Sequence, residues 1–210
     1  MKKIWLASYP RSGNTLLRTI LNHCFNLKSA SFYFSDFKGN KKVENQVGHI
    51  EHSQKGIVHF PNDALPLVKT HEMNKDTSKA IYIIRDGRFS AHSLWNFWNK
   101  KISIEDVIKG KHRFGTWSDH VNSWNPTLRS DTLLIKYESI LEDLNPVLIS
   151  LSEFLKKDII KKSIPSRESL AKIDGRYIRL KNNNEKIFSK KIMGIFDEIN
   201  KSTMEKYGYF

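Results

Sequence analysis

Three short stretches carry side chains that could act together. Tyr9-Pro10-Arg11-Ser12-Gly13-Asn14-Thr15 joins an apolar run of strand length, Ile4-Trp5-Leu6-Ala7, to a segment with Leu16, Leu17, Ile20, Leu21 and Cys24 (or Phe25) at helical spacing. A strand that feeds a helix through such a turn presents backbone N–H groups at the positive end of the helix dipole, an anion site built from main chain. Arg11 adds a cation, and Ser12, Asn14 and Thr15 add short polar groups, so the stretch reads as a phosphate cradle. The plainer reading is a Gly- and Ser-bearing turn of the kind any α/β protein contains. The second stretch is Lys69-Thr70-His71, where the brief strand signal of Leu67-Val68 stops. Ligands of open parallel sheets sit at the carboxyl ends of strands. A lone histidine is usually structural, but the neighbouring lysine and the strand-end position favour chemistry. The third is Arg85, at the end of the apolar run 80–84, with Ser93 on the helical stretch after it. These two can converge on one anion.

The elements that must hold these groups follow from pattern. The run 79–84 is apolar enough for a central parallel strand. Residues 132–137 predict another strand. Helices are expected over 89–98, over 104–108 with Ser103 as cap, and over 114–124 with Trp117, Val121 (or His120) and Trp124 on one core-facing side. Two more are expected over 144–155, with Pro146 in the first turn, and over 189–207, with Ile192, Ile195, Phe196, Ile199 and Met204 buried and Gly208 as the stop. Residues 28–56 read as a loop-rich insertion whose Phe and Tyr side chains pack inward, and residues 57–60 as a short strand or loop. Residues 158–186 read as two short helices split near Pro165, followed by a loop through Asn182-Asn183-Asn184. Strands alternating with helices imply an α/β fold, a three-layer sandwich with a mostly parallel central sheet, as one domain over residues 1–210.

Composition narrows the classes. No window has the apolar length of a membrane span, and Trp5-Leu6 runs into Pro10-Arg11 too soon for a signal-peptide core. Cys24 is the only cysteine, which fits a cytoplasmic protein. His49, His52 and His59 match no zinc spacing, so no metal is expected. The net charge of +13 suits a polyanion, a charged nucleotide or an acidic surface. The lysines are scattered rather than blocked, so a merely solvated basic surface explains much of it.

Five motifs in order resemble the sulfotransferase family. Tyr9-Pro10-Arg11-Ser12-Gly13-Asn14-Thr15 is similar to its 5′-phosphosulfate loop, a P-loop-like turn. Arg85 with Ser93 resembles its 3′-phosphate motif, and Lys69-Thr70-His71 its K-T-H. Gly115-x-Trp117-x-x-His120-Val121-x-x-Trp124 and Lys136-Tyr137-Glu138 also have counterparts. The resemblance spans residues 4–155. It implies a donor, 3′-phosphoadenosine 5′-phosphosulfate (PAPS), a product, PAP, and no metal. It implies that Arg11, Ser12, Gly13, Asn14 and Thr15 hold the 5′ end, that Arg85 and Ser93 hold the 3′-phosphate, and that Tyr137 lies near the adenine. His71 would be the general base, with Lys69 and Arg11 neutralising charge on the transferring and leaving oxygens. Arg11 replaces the usual Lys. Leu16 stands where many members carry an adenine-stacking Trp. The R-K-G segment that also clamps the 3′-phosphate is not recognisable, and Arg176, Arg179 and Lys181 lie in its region.

Two rivals were weighed. A P-loop kinase or nucleotidase shares the strand–turn–helix and would use Ile84-Arg85-Asp86 to bind magnesium, but G-x-x-x-x-G-K-[ST] is absent. A basic nucleic-acid binder fits the charge, but no such module is recognisable. The expected acceptor is a small hydroxylated molecule, a phenol or another flat one, with Phe32, Tyr33, Phe34, Trp95 and Trp98 as candidate walls and an acidic glycan as the alternative. No membrane or nucleic-acid partner is expected, and the oligomeric state stays open.

Overall fold

The computed structural model describes residues 3–34, 36–62, 64–173, 175 and 187–210. Five strands form one sheet in the order β2-β3-β1-β4-β5, and every pairing is parallel. They are β1 (Ile4–Ala7), β2 (Ala30–Ser31), β3 (Leu67–Thr70), β4 (Ala80–Ile84) and β5 (Thr132–Lys136). All of β4 is buried, as its unbroken apolar run requires of a strand covered on both faces.

Alternate side chains enter two separate cores. Ile4, Leu6, Leu67, Ile81, Ile83 and Ile135 face α1 (Asn14–Phe25). Ala7, Ala80, Tyr82 and Ile84 face the opposite layer. That layer includes α3 (Gly87–Phe97), α4 (Ile104–Ile108), α5 (Trp117–Trp124) and α9 (Lys190–Lys206). On the α1 side lie α6 (Tyr137–Glu142) and α7 (Leu144–Leu155), while α2 (Lys41–Gln46) and α8 (Arg167–Ile173) are short outer helices. The result is the three-layer α/β arrangement expected from sequence.

The cap expected at Ser103 is present, and two further caps join it. The Ser103 side chain accepts from the Asp106 N–H and starts α4. Ser189 opens α9. Thr116 and Asp119 form a reciprocal capping box on α5. Two expectations fail. Phe32 and Phe34 do not pack inward but are 54% and 66% exposed, while the insertion supplies β2 and α2. Only one helix, α8, appears among the described residues of 158–186, and it starts after Pro165. Residues before it run as a strap instead, because the Ile160 and Lys161 amides donate to the Cys24 carbonyl at 2.7 and 3.3 Å.

The chain leaves β1 for the β2–β3 side and later crosses to β4 on the other side of β1. Order therefore reverses at β1, and the loops after β1, β3 and β4 meet there. Such a switch point is where open α/β sheets bind ligands.

Candidate active site

The loop after β1 is held by its own backbone demands. Arg11 and Gly13 adopt left-handed φ values of 68° and 102°. Gly13 caps α1 with no side chain over the first-turn amides, which leaves that end of the helix suited to an anion. A Cβ on Gly13 would stand 2.5 Å from Cδ2 of Tyr137, so the loop and the start of α6 pack closely. The Asn14 side chain bonds inward, donating to the Leu6 carbonyl at 2.9 Å and to Ser8 Oγ at 3.3 Å. Ser12 Oγ lies 3.2 Å from Ser90 Oγ on α3, a pairing sequence reasoning did not anticipate. Leu16 is buried in the α1-side core.

The two stretches expected to bind anions touch. Arg11 Nε donates to Ser93 Oγ at 3.2 Å. Arg85 Nη1 donates to the Arg11 carbonyl at 3.2 Å, and its guanidinium lies 4.6 Å from the centre of the Tyr137 ring. Arg85, Phe89, Tyr137, Leu141 and Tyr209 help line a cavity of about 190 Å³. Asp86 is used locally. It caps α3 and forks onto Arg88, with 3.0 Å to Nε and 2.7 Å to Nη2. That leaves it poorly placed as the magnesium ligand of the kinase reading.

His71 sits beside this loop. Its Nδ1 is 2.9 Å from the Ser8 carbonyl and 3.1 Å from Ser8 Oγ. A carbonyl only accepts, so Nδ1 carries the proton and Nε2 the lone pair. Burial, and next the Lys69 charge, hold the His71 pKa well below its ordinary value, so the ring is neutral at pH 7. Tyr33 stacks on it at 6.0 Å, and Phe114 meets it edge-on at 6.2 Å. The Tyr33 hydroxyl accepts from the His71 N–H at 2.9 Å and donates to Glu72 at 3.0 Å. Arg113 pairs with the same Glu72 carboxylate and lies over the Tyr33 and Phe114 rings.

Lys69 has a partner that the sequence did not point to. Its Nζ donates to Asp36 at 2.8 Å, and Asp36 also takes 3.1 Å from the fully buried Arg18. Arg18 further bonds the Ser29 carbonyl and hydroxyl and lies 3.0 Å from His49 Nδ1. The flanking Lys69 and Arg18 charges outweigh the effect of burial and draw the Asp36 pKa down to about 2. Neither Arg18 nor Asp36 had a sequence signal, because each looks ordinary until the fold joins them to Lys69.

The aromatic side of helix α5 is buried, and its polar atoms reach the ends of two strands, β3 and β4. Trp117 Nε1 donates to the Arg85 carbonyl at 3.1 Å. His120 Nε2 donates to the His71 carbonyl at 3.1 Å, while its Nδ1 accepts from the Tyr82 hydroxyl at 2.8 Å. Trp124 Nε1 donates to the Glu72 carbonyl at 3.0 Å. Burial pushes His120 down to about 4, so it stays neutral. Of the other aromatic candidates, Trp95 is tied to the Ile102 carbonyl and Trp98 packs on His112. Arg176, Arg179 and Lys181 lie outside the described residues.

The model of the sulfotransferase domain matches residues 1–207. The chain belongs to the sulfotransferase family. It is 28% identical to rat sulfotransferase 1 family member D1 over 182 residues, covering 74% of this chain and 59% of that one. Human sulfotransferase 4A1 matches at 23% over 172 residues, with 72% and 59% covered. The chain thus spans under two thirds of the length of these relatives. Among solved structures, mouse sulfotransferase SULT7A1 complexed with PAP superposes with a TM-score of 0.65 at 19% identity, covering 97% of this chain and 84% of that one. Retinol dehydratase complexed with retinol and PAP gives 0.57 at 19%, covering 98% and 79%. At these identities the structural likeness is one of fold. Among the described residues, no helix is long and apolar enough to cross a membrane.

Proposed function

We propose that this chain moves the sulfuryl group of PAPS to the hydroxyl of a small, flat, phenolic acceptor, with His71 as general base. The observation that carries the reading is the neutral His71, its Nδ1 proton committed to the Ser8 carbonyl, beside a loop whose helix-terminal amides suit an anion. The acceptor oxygen attacks sulfur as the bond from sulfur to the bridging phosphate oxygen breaks. The hydroxyl proton passes to His71 Nε2, and PAP leaves with the electron pair on its phosphate.

In this reading Arg11, Ser12, Gly13, Asn14 and Thr15 receive the 5′-phosphosulfate, and Arg11 offsets charge on the oxygens in transit. Arg85 and Ser93 receive the 3′-phosphate, since a guanidinium pairs with phosphate through two parallel bonds. Tyr137 borders the adenine. Lys69, paired with Asp36, supplies positive potential near the transferring group. Tyr33 and Phe114 flank His71 and favour a flat acceptor. A small hydroxylated acceptor fits what retinol dehydratase, a neighbour in fold, was solved with, retinol in one complex and androsterone in another. A cytoplasmic place of work belongs to the same reading.

The test is transfer of labelled sulfate from PAPS across phenols, aliphatic alcohols and glycans, with PAP binding measured by calorimetry. Phenols should be sulfated, and His71→Ala should lower turnover about 10²- to 10⁴-fold while PAP affinity holds. Sulfated polysaccharide with untouched phenols would overturn the acceptor class, and undiminished turnover in His71→Ala would remove the base.

A further inference from the structure

The loop carries arginine where a lysine was expected from the family resemblance, and the fold gives that arginine a seat. Ser93 and Phe97 are one helical turn apart on α3, at i and i+4, so they share a face. The Arg11 Nε donates to Ser93 Oγ at 3.2 Å, and the guanidinium carbon stands 4.8 Å from the centre of the Phe97 ring. Phe97 is the last residue of α3 and is 53% exposed, so its ring lies at the surface with the Arg11 cation against its face.

We infer that Phe97 is a positioning residue for Arg11, and that the Ser93–Phe97 pair makes position 11 specific for arginine over lysine. A planar guanidinium is held at two points. Ser93 fixes the Nε edge, and the ring face fixes the plane. The ring beneath the guanidinium sets the plane in which its nitrogens point, and that plane decides how they can meet a phosphate or sulfuryl oxygen. A lysine ammonium can also be drawn to the ring, but it has no plane for the ring to orient, so the ring would not aim its protons at an anion. Phe97 touches no reacting atom in this scheme and acts through Arg11. The inference rests on the proposed donor reading for its catalytic meaning, but the stacking itself does not.

The experiment is a four-protein cycle: wild type, Phe97→Leu, Arg11→Lys and the double variant, each titrated calorimetrically with PAP. Phe97→Leu should weaken PAP binding roughly two- to five-fold in the native background, the scale of an exposed cation–π contact. It should leave affinity unchanged in the Arg11→Lys background. Phe97→Trp should restore native binding, which a purely packing role for the ring would not require. Equal losses in both backgrounds, or none in either, would overturn the inference. If wild type does not bind PAP, the donor reading itself fails, and the same four proteins are compared by thermal unfolding. There Phe97→Leu should lower Tm more in the native background than in the Arg11→Lys background, and equal shifts would again overturn it.

Discussion

Between Ser8 and Thr15 the loop after β1 is set by consecutive residues, while the surroundings of His71 are gathered from Tyr33, Asp36, Lys69, Phe114 and α5. In the loop, left-handed φ values at Arg11 and Gly13 and the open end of α1 fix the donors within a single turn of chain. Around His71, each partner arrives from a different segment, and α5 holds the strand ends from behind. The first region is rigid because its geometry is local. The second is rigid because distant groups agree. They should therefore fail in different ways when altered.

The largest effect is expected in the loop. Gly13→Ala adds a Cβ at φ +102° and 2.5 Å from the Tyr137 ring. PAP affinity should drop about a hundred-fold by calorimetry, the scale of a few kcal/mol of strain at a site that cannot relax cheaply. Unchanged affinity would mean the loop is not the tight turn described.

Next comes the buried ion group. Asp36→Asn leaves the Arg18 and Lys69 charges without their shared carboxylate and should cost about 3 kcal/mol in denaturant unfolding. The same group predicts a pH response. The Asp36 pKa is lowered in the folded state to about 2 from 3.8, so its stabilisation is complete above pH 4 and is lost as pH falls toward 2. Wild type should lose stability over that interval, and Asp36→Asn should lose less.

A paired substitution on α5 sharpens the contrast. Trp117→Phe removes the bond to the Arg85 carbonyl and should weaken PAP. Trp124→Phe removes the bond to the Glu72 carbonyl and should lower kcat while sparing PAP. Each leaves a part-buried carbonyl short of a donor, a loss of about 1 kcal/mol in stability. If both variants change affinity and kcat alike, α5 is only a packing helix. The smallest effect is in the pH profile of kcat/KM. Because the His71 pKa lies below 6.5, activity should stay level as pH falls through that value and decline only at more acid pH. An acid limb centred above pH 6.5 would contradict the buried, neutral ring.

What the sequence made legible follows the same division. The run at β4, the cap Ser103, the turn at Gly13 and the strand-end positions of His71 and Arg85 are local facts that spacing records. Asp36 lies 33 residues before Lys69 in the chain, and no periodicity links them. The inward packing expected of Phe32 and Phe34 failed because a loop lacks the alternation that tells a side chain which way to face. The first helix expected after residue 158 gave way to amide bonds onto Cys24, a tertiary contact that overrides weak helical preference. The contact between Arg11 and Phe97 likewise joins residues far apart in the chain, and no spacing in the sequence records it.

The three donors of α5 grip the backs of the strand tips, while the residues that would meet an acceptor hang from loops in front. Not every front residue can change independently: Tyr33 takes the His71 N–H and stacks on its ring, and Phe114 meets that ring edge-on. A designer seeking a new acceptor range would leave Trp117, His120 and Trp124 alone, keep Tyr33 and Phe114, and rewrite the positions beside them.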